Sequence, residues 1–267
     1  MKYLSVLLVT IIFASSYSGA QSINENNSTK ISLGENGTIS NDGITETTEI
    51  IYTEAFDHSI FNKLLQKFVS DNGNVNYKGL KGEHKTLLSY IDLLKTNQPN
   101  EDWSNNDKLA YWINAYNALT IDLILKNYPT KSIKDIKDPW DQRLWKFGTT
   151  WQNLNDIEHK ILRGMHEPRI HFAIVCASIS CPKLQNTAFT ASELDTQLTN
   201  ATKEFLADTT KNELSEEQIK ISRIFKWFKK DFETNGSLID FLNQYSDVKI
   251  SNSAKKSFKD YNWNLNK

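Results

Sequence analysis

The longest helical pattern of this sequence, over residues 106–127, most constrains the fold. Apolar side chains recur along it at the spacing of one helix face, and Pro129 bars the helix from continuing. The members of this face are Leu109, Trp112, Ile113, Tyr116, Leu119, Leu123 and Ile124. We therefore predict one long amphipathic helix over 106–127, in a helix-rich first half of the fold.

Shorter patterns before and after this helix define the fold class. Helical spacing predicts earlier helices from Ser59 and over 84–96, and later ones over 155–165, 191–207, 225–232 and 237–245. Apolar, partly β-branched runs predict strands over 170–176, 219–224 and 261–265. We therefore predict an α+β fold, with a helix-rich first half packed on a small, mostly antiparallel sheet.

The amino-terminal residues predict export. Lys2, an apolar stretch and the small residues Ser18, Gly19 and Ala20 form the pattern of a signal peptide over 1–20, cleaved near Ala20. Residues 21–50 are polar and contain no aromatic residue, which predicts a flexible linker. A single α+β domain over 51–267 is expected to follow, in the periplasm or secreted.

Composition excludes several classes of function. The formal net charge is −1, which gives no electrostatic basis for binding nucleic acid or an anionic membrane. The apolar run near the start is too short to span a bilayer. The five histidines are scattered, and no phosphate-binding glycine motif occurs, so we predict neither a metal nor a cofactor. Which protein partner the chain binds does not follow from its sequence.

Both cysteines lie just after the predicted strand over 170–176. Cys176 ends the apolar run, and Cys181 precedes Pro182 after a short stretch of small residues. Three interpretations remain open: a nucleophilic cysteine, a disulfide between the two, or two ordinary buried thiols. Among the nucleophile candidates Cys176 ranks first, since a side chain at the end of a rigid strand commonly carries chemistry, and Cys181 ranks second.

Thiolate chemistry requires a base and a group that orients the base. His159 is the candidate base, and Glu158, next to it, is expected to orient the imidazole or the substrate. Asn114 and Asn117 are three residues apart on the long helix and offer amides for the same purpose, or else bind buried loop backbone. On a strand, His171 would face away from Cys176, so it is a secondary candidate.

Several of these segments resemble the family known as domain of unknown function 547. The resemblance rests on residues 75–77, 111–117, 157–163 and 168–173, then on Cys176, 180–182 and 261–266. It implies a thiol enzyme similar to papain-like and transglutaminase-like proteins. Because His159 precedes Cys176, a papain-like fold would be permuted. The resemblance also favours Cys176 and the Glu158–His159 pair, since plant-type members carry serine at the position of Cys181.

The resulting functional prediction is an exported thiol hydrolase or transferase acting on an amide of a small peptide-like or thiol-containing substrate, such as one similar to glutathione. Two alternatives stay open. One is a non-catalytic exported binding domain that uses the aromatic residues of the loop over 134–152, and the other is a thiol–disulfide redox protein.

Overall fold

The computed structural model describes residues 53–267, so the predicted signal peptide and linker lie outside the described residues. The first half of the described chain is helical, as predicted. Its helices are α1 (Ser59–Phe68), α2 (Tyr77–Gly82), α3 (His84–Thr96) and α4 (Asn105–Asn127). Helix α4 is buried along most of its length and begins at Ser104, whose side chain accepts a hydrogen bond from the Asp107 N–H. The long helix predicted over 106–127 is confirmed.

The segment after α4 carries the site. A two-stranded antiparallel hairpin comes first, formed by β1 (Trp145–Phe147) and β2 (Thr150–Gln152). Helix α5 (Leu154–Asp156) follows and continues as a π-helical turn over Ile157–Leu162. Two 3-10 turns, Arg163–Met165 and Pro168–Phe172, complete this helical stretch.

The prediction of a strand over 170–176 is wrong. Pro168 stands at the start of a 3-10 turn, and the Glu167 side chain caps it by accepting from the Arg169 N–H. Residues 173–176 then run as irregular backbone. The apolar composition correctly indicated burial, since Ile170, Phe172 and Val175 are all buried, but a short apolar run does not distinguish a strand from another buried segment.

The second half contains the remaining sheet. Helix α6 (Leu194–Ala207) precedes β3 (Glu213–Leu214) and β4 (Gln218–Ile221), which pair antiparallel. The strand β5 (Lys255–Phe258) pairs with β4 in parallel. Between them lie α7 (Ile224–Trp227), α8 (Lys229–Phe232) and α9 (Leu238–Tyr245). The α+β class and the helix-rich first half are thus confirmed, whereas the predicted strand over 261–265 contributes only single bridges.

Two apolar clusters stabilise the described chain. One surrounds α4 and includes Ile174, and the other packs around Phe172, Phe225 and Ile224. Ile174 and Ile224, one from each cluster, line the same cavity. The irregular segment after Phe172 therefore runs along the boundary between the clusters. Within residues 53–267, no helix is long and apolar enough to cross a membrane.

His58 is buried at the start of α1, where its Nδ1 lies 2.7 Å from the Tyr90 hydroxyl. Burial lowers the pKa of His58 to about 4. A histidine whose pKa is lowered on folding stabilises the protein above its unfolded pKa, and this stability is lost as the pH falls through the folded pKa. We predict that, between pH 7 and pH 4, the unfolding free energy of His58→Gln falls by about 3 kcal/mol less than that of the wild type.

Urea unfolding at both pH values tests this, with His166→Asn at an exposed turn as the matched control. Equal acid sensitivity of the wild type and His58→Gln would contradict the assignment.

Candidate functional site

A cavity of about 330 Å³ lies where the two apolar clusters meet. Its polar lining brings together five residues that the sequence singled out, namely Glu158, His159, His171, Cys176 and Cys181. Its aromatic lining comes from Tyr116, Trp140, Trp227, Phe228, Tyr261 and Trp263. A volume near the lower end of the range for ligand pockets suits a small molecule or one side chain of a larger one.

The two cysteines form a disulfide, with their Cα atoms 6.3 Å apart. Cys181 is buried, whereas Cys176 is partly accessible. The Tyr261 hydroxyl lies 3.4 Å from the Cys176 sulfur and 3.2 Å from the Cys181 sulfur. The Ser178 hydroxyl lies 3.2 Å from the Cys176 sulfur. Of the three interpretations of the cysteines, the structure shows the disulfide, and it places that bond on the wall of the cavity.

The carboxyl-terminal segment fixes the loop that carries these sulfurs. The N–H groups of Ile179 and Ser180 donate to the carbonyl oxygens of Asn264 and Asn262. In the opposite direction, the Asn266 N–H donates to the carbonyl of Ala177, which has the left-handed φ of 57°. A non-glycine residue in that region is uncommon and persists where surrounding contacts hold it. The backbone directly after Cys176 is therefore held in an unusual conformation by contacts from the end of the chain.

Glu158 and His159 lie on the π-helical turn over Ile157–Leu162. Such turns are rare and occur frequently at functional sites. The Tyr116 hydroxyl donates to Oε2 of Glu158 at 3.1 Å. Burial raises the pKa of Glu158 to about 7, although the bond from Tyr116 opposes this rise. The carboxyl therefore exchanges its proton near neutral pH, which is the property that general acid–base catalysis requires.

His159 is held by Arg163, one helical turn along the chain. The Arg163 Nη1 lies 2.8 Å from Nδ1 of His159. Partial burial, and then the nearby guanidinium, lower the pKa of His159. The imidazole is therefore mainly neutral at pH 7, although the residue is exposed at the cavity wall.

His171 is almost completely buried and stacks on Phe228 with ring centroids 3.9 Å apart. Its Nε2 lies 2.8 Å from Oδ2 of Asp231. Burial lowers the pKa of His171, although Asp231 opposes the shift, so this contact is a hydrogen bond from a neutral imidazole at pH 7. With the strand replaced by a 3-10 turn, the expectation that His171 faces away from Cys176 is wrong, since both residues line the cavity.

Asp231 contacts His171 directly and is linked to His159 through Arg163. Arg163 Nε and Nη2 donate to the two carboxylate oxygens of Asp231 at 2.6 and 2.7 Å. Burial alone would raise the pKa of Asp231, but the hydrogen bonds from Arg163 and His171 outweigh it and hold that pKa well below its usual range. Asp231 is thus a carboxylate at neutral pH.

The two asparagines of α4 bind backbone. The Asn114 side chain exchanges two hydrogen bonds with the backbone of Phe189, at 2.7 and 3.0 Å, and does not line the cavity. The structure therefore does not bring Asn114 to the imidazoles. Asn117 donates to the carbonyl of Ala173 and accepts from the N–H of Val175. It supports the segment leading to Cys176 without lining the cavity itself.

Sequence reasoning missed three side chains of the site: Asp231, Tyr261 and Trp227. Tyr261 lies in the terminal motif that carried the family resemblance, so a signal for it was present. Asp231 lies among lysines on a short helix, where a carboxylate is typically solvated, and nothing in the local pattern distinguishes it.

The aromatic side chains of the loop over 134–152 lie in three different environments. Trp140 lines the cavity, whereas Trp145 and Phe147 are core side chains, and Trp151 is exposed. Within residues 53–267, no group of three or more histidine, cysteine or acidic side chains is arranged to hold a metal ion.

Residues 100–206 match the model of a family described as a protein of unknown function, DUF547. The DUF547 resemblance is confirmed over this segment. No curated protein and no solved structure shows significant similarity to the chain. The DUF547 segment contains both histidines that line the cavity, Glu158 and both cysteines, whereas Asp231 and Tyr261 lie outside it.

The asparagine pair provides a matched test of how the site is supported. Asn114→Ala and Asn117→Ala each leave two buried backbone groups unpaired, which costs about 2–4 kcal/mol of unfolding free energy. We predict similar destabilisation in denaturant unfolding for the two variants. After reduction of the disulfide, only Asn117→Ala should change the rate at which iodoacetamide modifies Cys176. Equal effects of both variants on that rate would show that Asn117 has no special role at the site.

Proposed function

We propose that the protein is a thiol-dependent hydrolase or transferase acting on an amide bond, with Cys176 in its reduced form as the nucleophile. The observation that carries the proposal is the shared lining of one small cavity. Cys176 lies there with two neutral imidazoles and a carboxyl that titrates near pH 7. Nucleophile, base and acid are the groups that acyl transfer requires.

The disulfide has to be reduced before this chemistry, and a small dithiol or a protein dithiol supplies the two electrons. The Cys176 thiolate then attacks the carbonyl carbon, and the carbon–nitrogen bond breaks as the leaving amine takes a proton. The resulting thioester passes its acyl group to water or to a second amine. The N–H groups of Ala177 and Ser178, beside the nucleophile, are the proposed donors to the oxyanion.

Accessibility supports Cys176 over Cys181 as the nucleophile. Cys181 is only 4% exposed, whereas Cys176 is partly accessible from the cavity. A thiol has to be reached by its substrate, so the more accessible sulfur is the better candidate.

The charges around the cavity support an uncharged or cationic substrate. Of the described residues that line it, none is a lysine or an arginine, whereas Asp141 and Glu158 are acidic. Exposed Trp227 packs with Tyr261 and Trp263 on the same wall, and aromatic faces favour apolar or cationic groups. A peptide-like amide with an apolar or amino group therefore fits better than glutathione, whose carboxylates would find no cation in the lining.

The disulfide itself favours a second candidate function, thiol–disulfide exchange, in which Cys176 and Cys181 cycle together. The two functions make opposite predictions for Cys181→Ser, because exchange requires both sulfurs and acyl transfer requires only Cys176. The non-catalytic binding domain would instead bind its ligand equally well in Cys176→Ala, without turnover.

We predict that Cys181→Ser reacts at Cys176 without added reductant, whereas the wild type reacts only after reduction. A free thiol has a pKa of about 8.5, and transfer of its proton to an imidazole partner, which gives a thiolate–imidazolium pair, lowers it by several units. Iodoacetamide labelling of Cys181→Ser, followed by mass spectrometry across pH, should therefore give a midpoint well below 8.5. Cys176→Ser is the matched control and should not be labelled at this site.

Turnover of a panel of small chromogenic aminoacyl amides tests the reaction, and oxidised dithiothreitol tests exchange. Amide turnover in Cys181→Ser supports the proposal. Loss of all turnover in Cys181→Ser, with exchange in the wild type, would favour the redox function. A labelling midpoint at the free-thiol value, or labelling only after unfolding, would refute the thiol enzyme.

A further inference from the structure

The two histidines of the cavity present different nitrogen atoms to it. Arginine has only hydrogen-bond donors, so Nδ1 of His159 must accept the bond from Arg163. In a neutral imidazole one nitrogen accepts and the other carries the proton. The proton of His159 is therefore on Nε2, and the nitrogen left free by Arg163 is a donor.

The contacts of His171 impose the reverse arrangement. Asp231 is ionised, and an ionised carboxylate only accepts hydrogen bonds. Its Oδ2 lies 2.8 Å from Nε2 of His171, so that nitrogen carries the proton and donates it. The nitrogen left over, Nδ1, then has a lone pair and is able to take up a proton.

We propose that His171, oriented by Asp231, is the base that removes the proton from Cys176, and that His159 donates a hydrogen bond to the substrate oxygen. This inference rests on the proposed function and assigns the roles within it. The S–H bond breaks, the proton moves to Nδ1 of His171, and the imidazolium is stabilised by Asp231. The same proton passes to the leaving amine as the carbon–nitrogen bond breaks. The carboxylate–imidazole pair is the arrangement that orients a catalytic histidine in acyl-transfer enzymes.

The guanidinium of Arg163 contacts the groups that fix the protonated nitrogen of each histidine. Arg163 donates twice to Asp231 and once to His159, and it lies over the Phe228 ring on which His171 stacks. The charged or titratable groups that face His171 are thus Asp231, Arg163 and His159. On the Cys176 side of the cavity the corresponding groups are the Tyr261 hydroxyl, which burial keeps protonated because it raises the pKa of this tyrosine, and the carboxyl of Glu158, which lines the same cavity. Arg163 and Asp231 are positioning residues in this scheme.

The pH profile of Cys176 labelling tests the assignment in a Cys181→Ser background, where no disulfide forms. The reference protein should be labelled by iodoacetamide with a midpoint well below 8.5, as proposed above. Adding His171→Gln should move that midpoint up to about 8.5, since the thiol then behaves as a free one. Adding Asp231→Asn should move it in the same direction by a smaller amount. Adding His159→Gln should leave the midpoint unchanged and lower kcat for amide turnover. His166→Asn is the control for replacing a histidine elsewhere.

The outcomes separate the two proposals. A reference midpoint at the free-thiol value refutes the thiol enzyme itself. A low reference midpoint that rises in His159→Gln, and not in His171→Gln, leaves the enzyme standing and overturns the assignment of the base.

If His171→Gln does not fold, nitrogen NMR of the histidine rings in the wild-type protein provides the second measurement. We expect the proton on Nε2 in both rings at pH 7. A proton on Nδ1 of His171 would overturn the assignment.

Discussion

The site depends on the paired hydrogen bonds between Arg163 and Asp231. The guanidinium follows the π-helical turn, and the carboxylate lies on α8, so the pair joins distant parts of the chain next to the two histidines that line the cavity. Two parallel bonds from a planar guanidinium fix orientation as well as distance. A third N–H of the guanidinium donates to His159, and Oδ2 of the carboxylate also accepts from His171. Removing the guanidinium would free His159 and leave Asp231, which is partly buried and bonded to His171, without its cation.

Other residues hold the backbone on both sides of Cys176. Asn117 satisfies the irregular backbone at Ala173 and Val175 just before Cys176, and the carboxyl-terminal segment satisfies the loop just after it. Buried backbone without sheet or helix partners has to be paired in some other way, and a side-chain amide with one donor side and one acceptor side meets this requirement. Asn114, three residues earlier on α4, performs the same task for Phe189. Both asparagines form the same pair of hydrogen bonds, but only Asn117 binds the segment that leads to Cys176.

These contacts explain which parts of the molecule could be predicted from its sequence. The long helix was predicted at residues 106–127 and lies at Asn105–Asn127, because helical periodicity is a local signal and a long stripe repeats it many times. The run over 170–176 indicated burial but not conformation, since α4 supplies through Asn117 the partners that a sheet would otherwise provide. Glu158, His159 and the cysteines were identified because they are close together in the sequence. Tyr261 reaches the cavity, and Asp231 reaches His171, only through tertiary packing, and no local pattern encodes that approach.

The protonation states of the cavity follow from its burial. Burial raises the pKa of Glu158 and lowers those of His159 and His171, so all three groups are shifted toward their uncharged forms. Asp231 is the exception, because two neighbouring groups donate hydrogen bonds to it. Moving a proton from a thiol to an imidazole in such a place creates two charges at a cost in desolvation, and a carboxylate already bonded to the imidazole offsets part of that cost. Ionisation of Glu158 as the pH rises through about 7 adds a second negative charge to the cavity. That charge opposes formation of a thiolate there, so Glu158 sets an upper limit to the pH range in which His171 and Asp231 activate Cys176 most effectively.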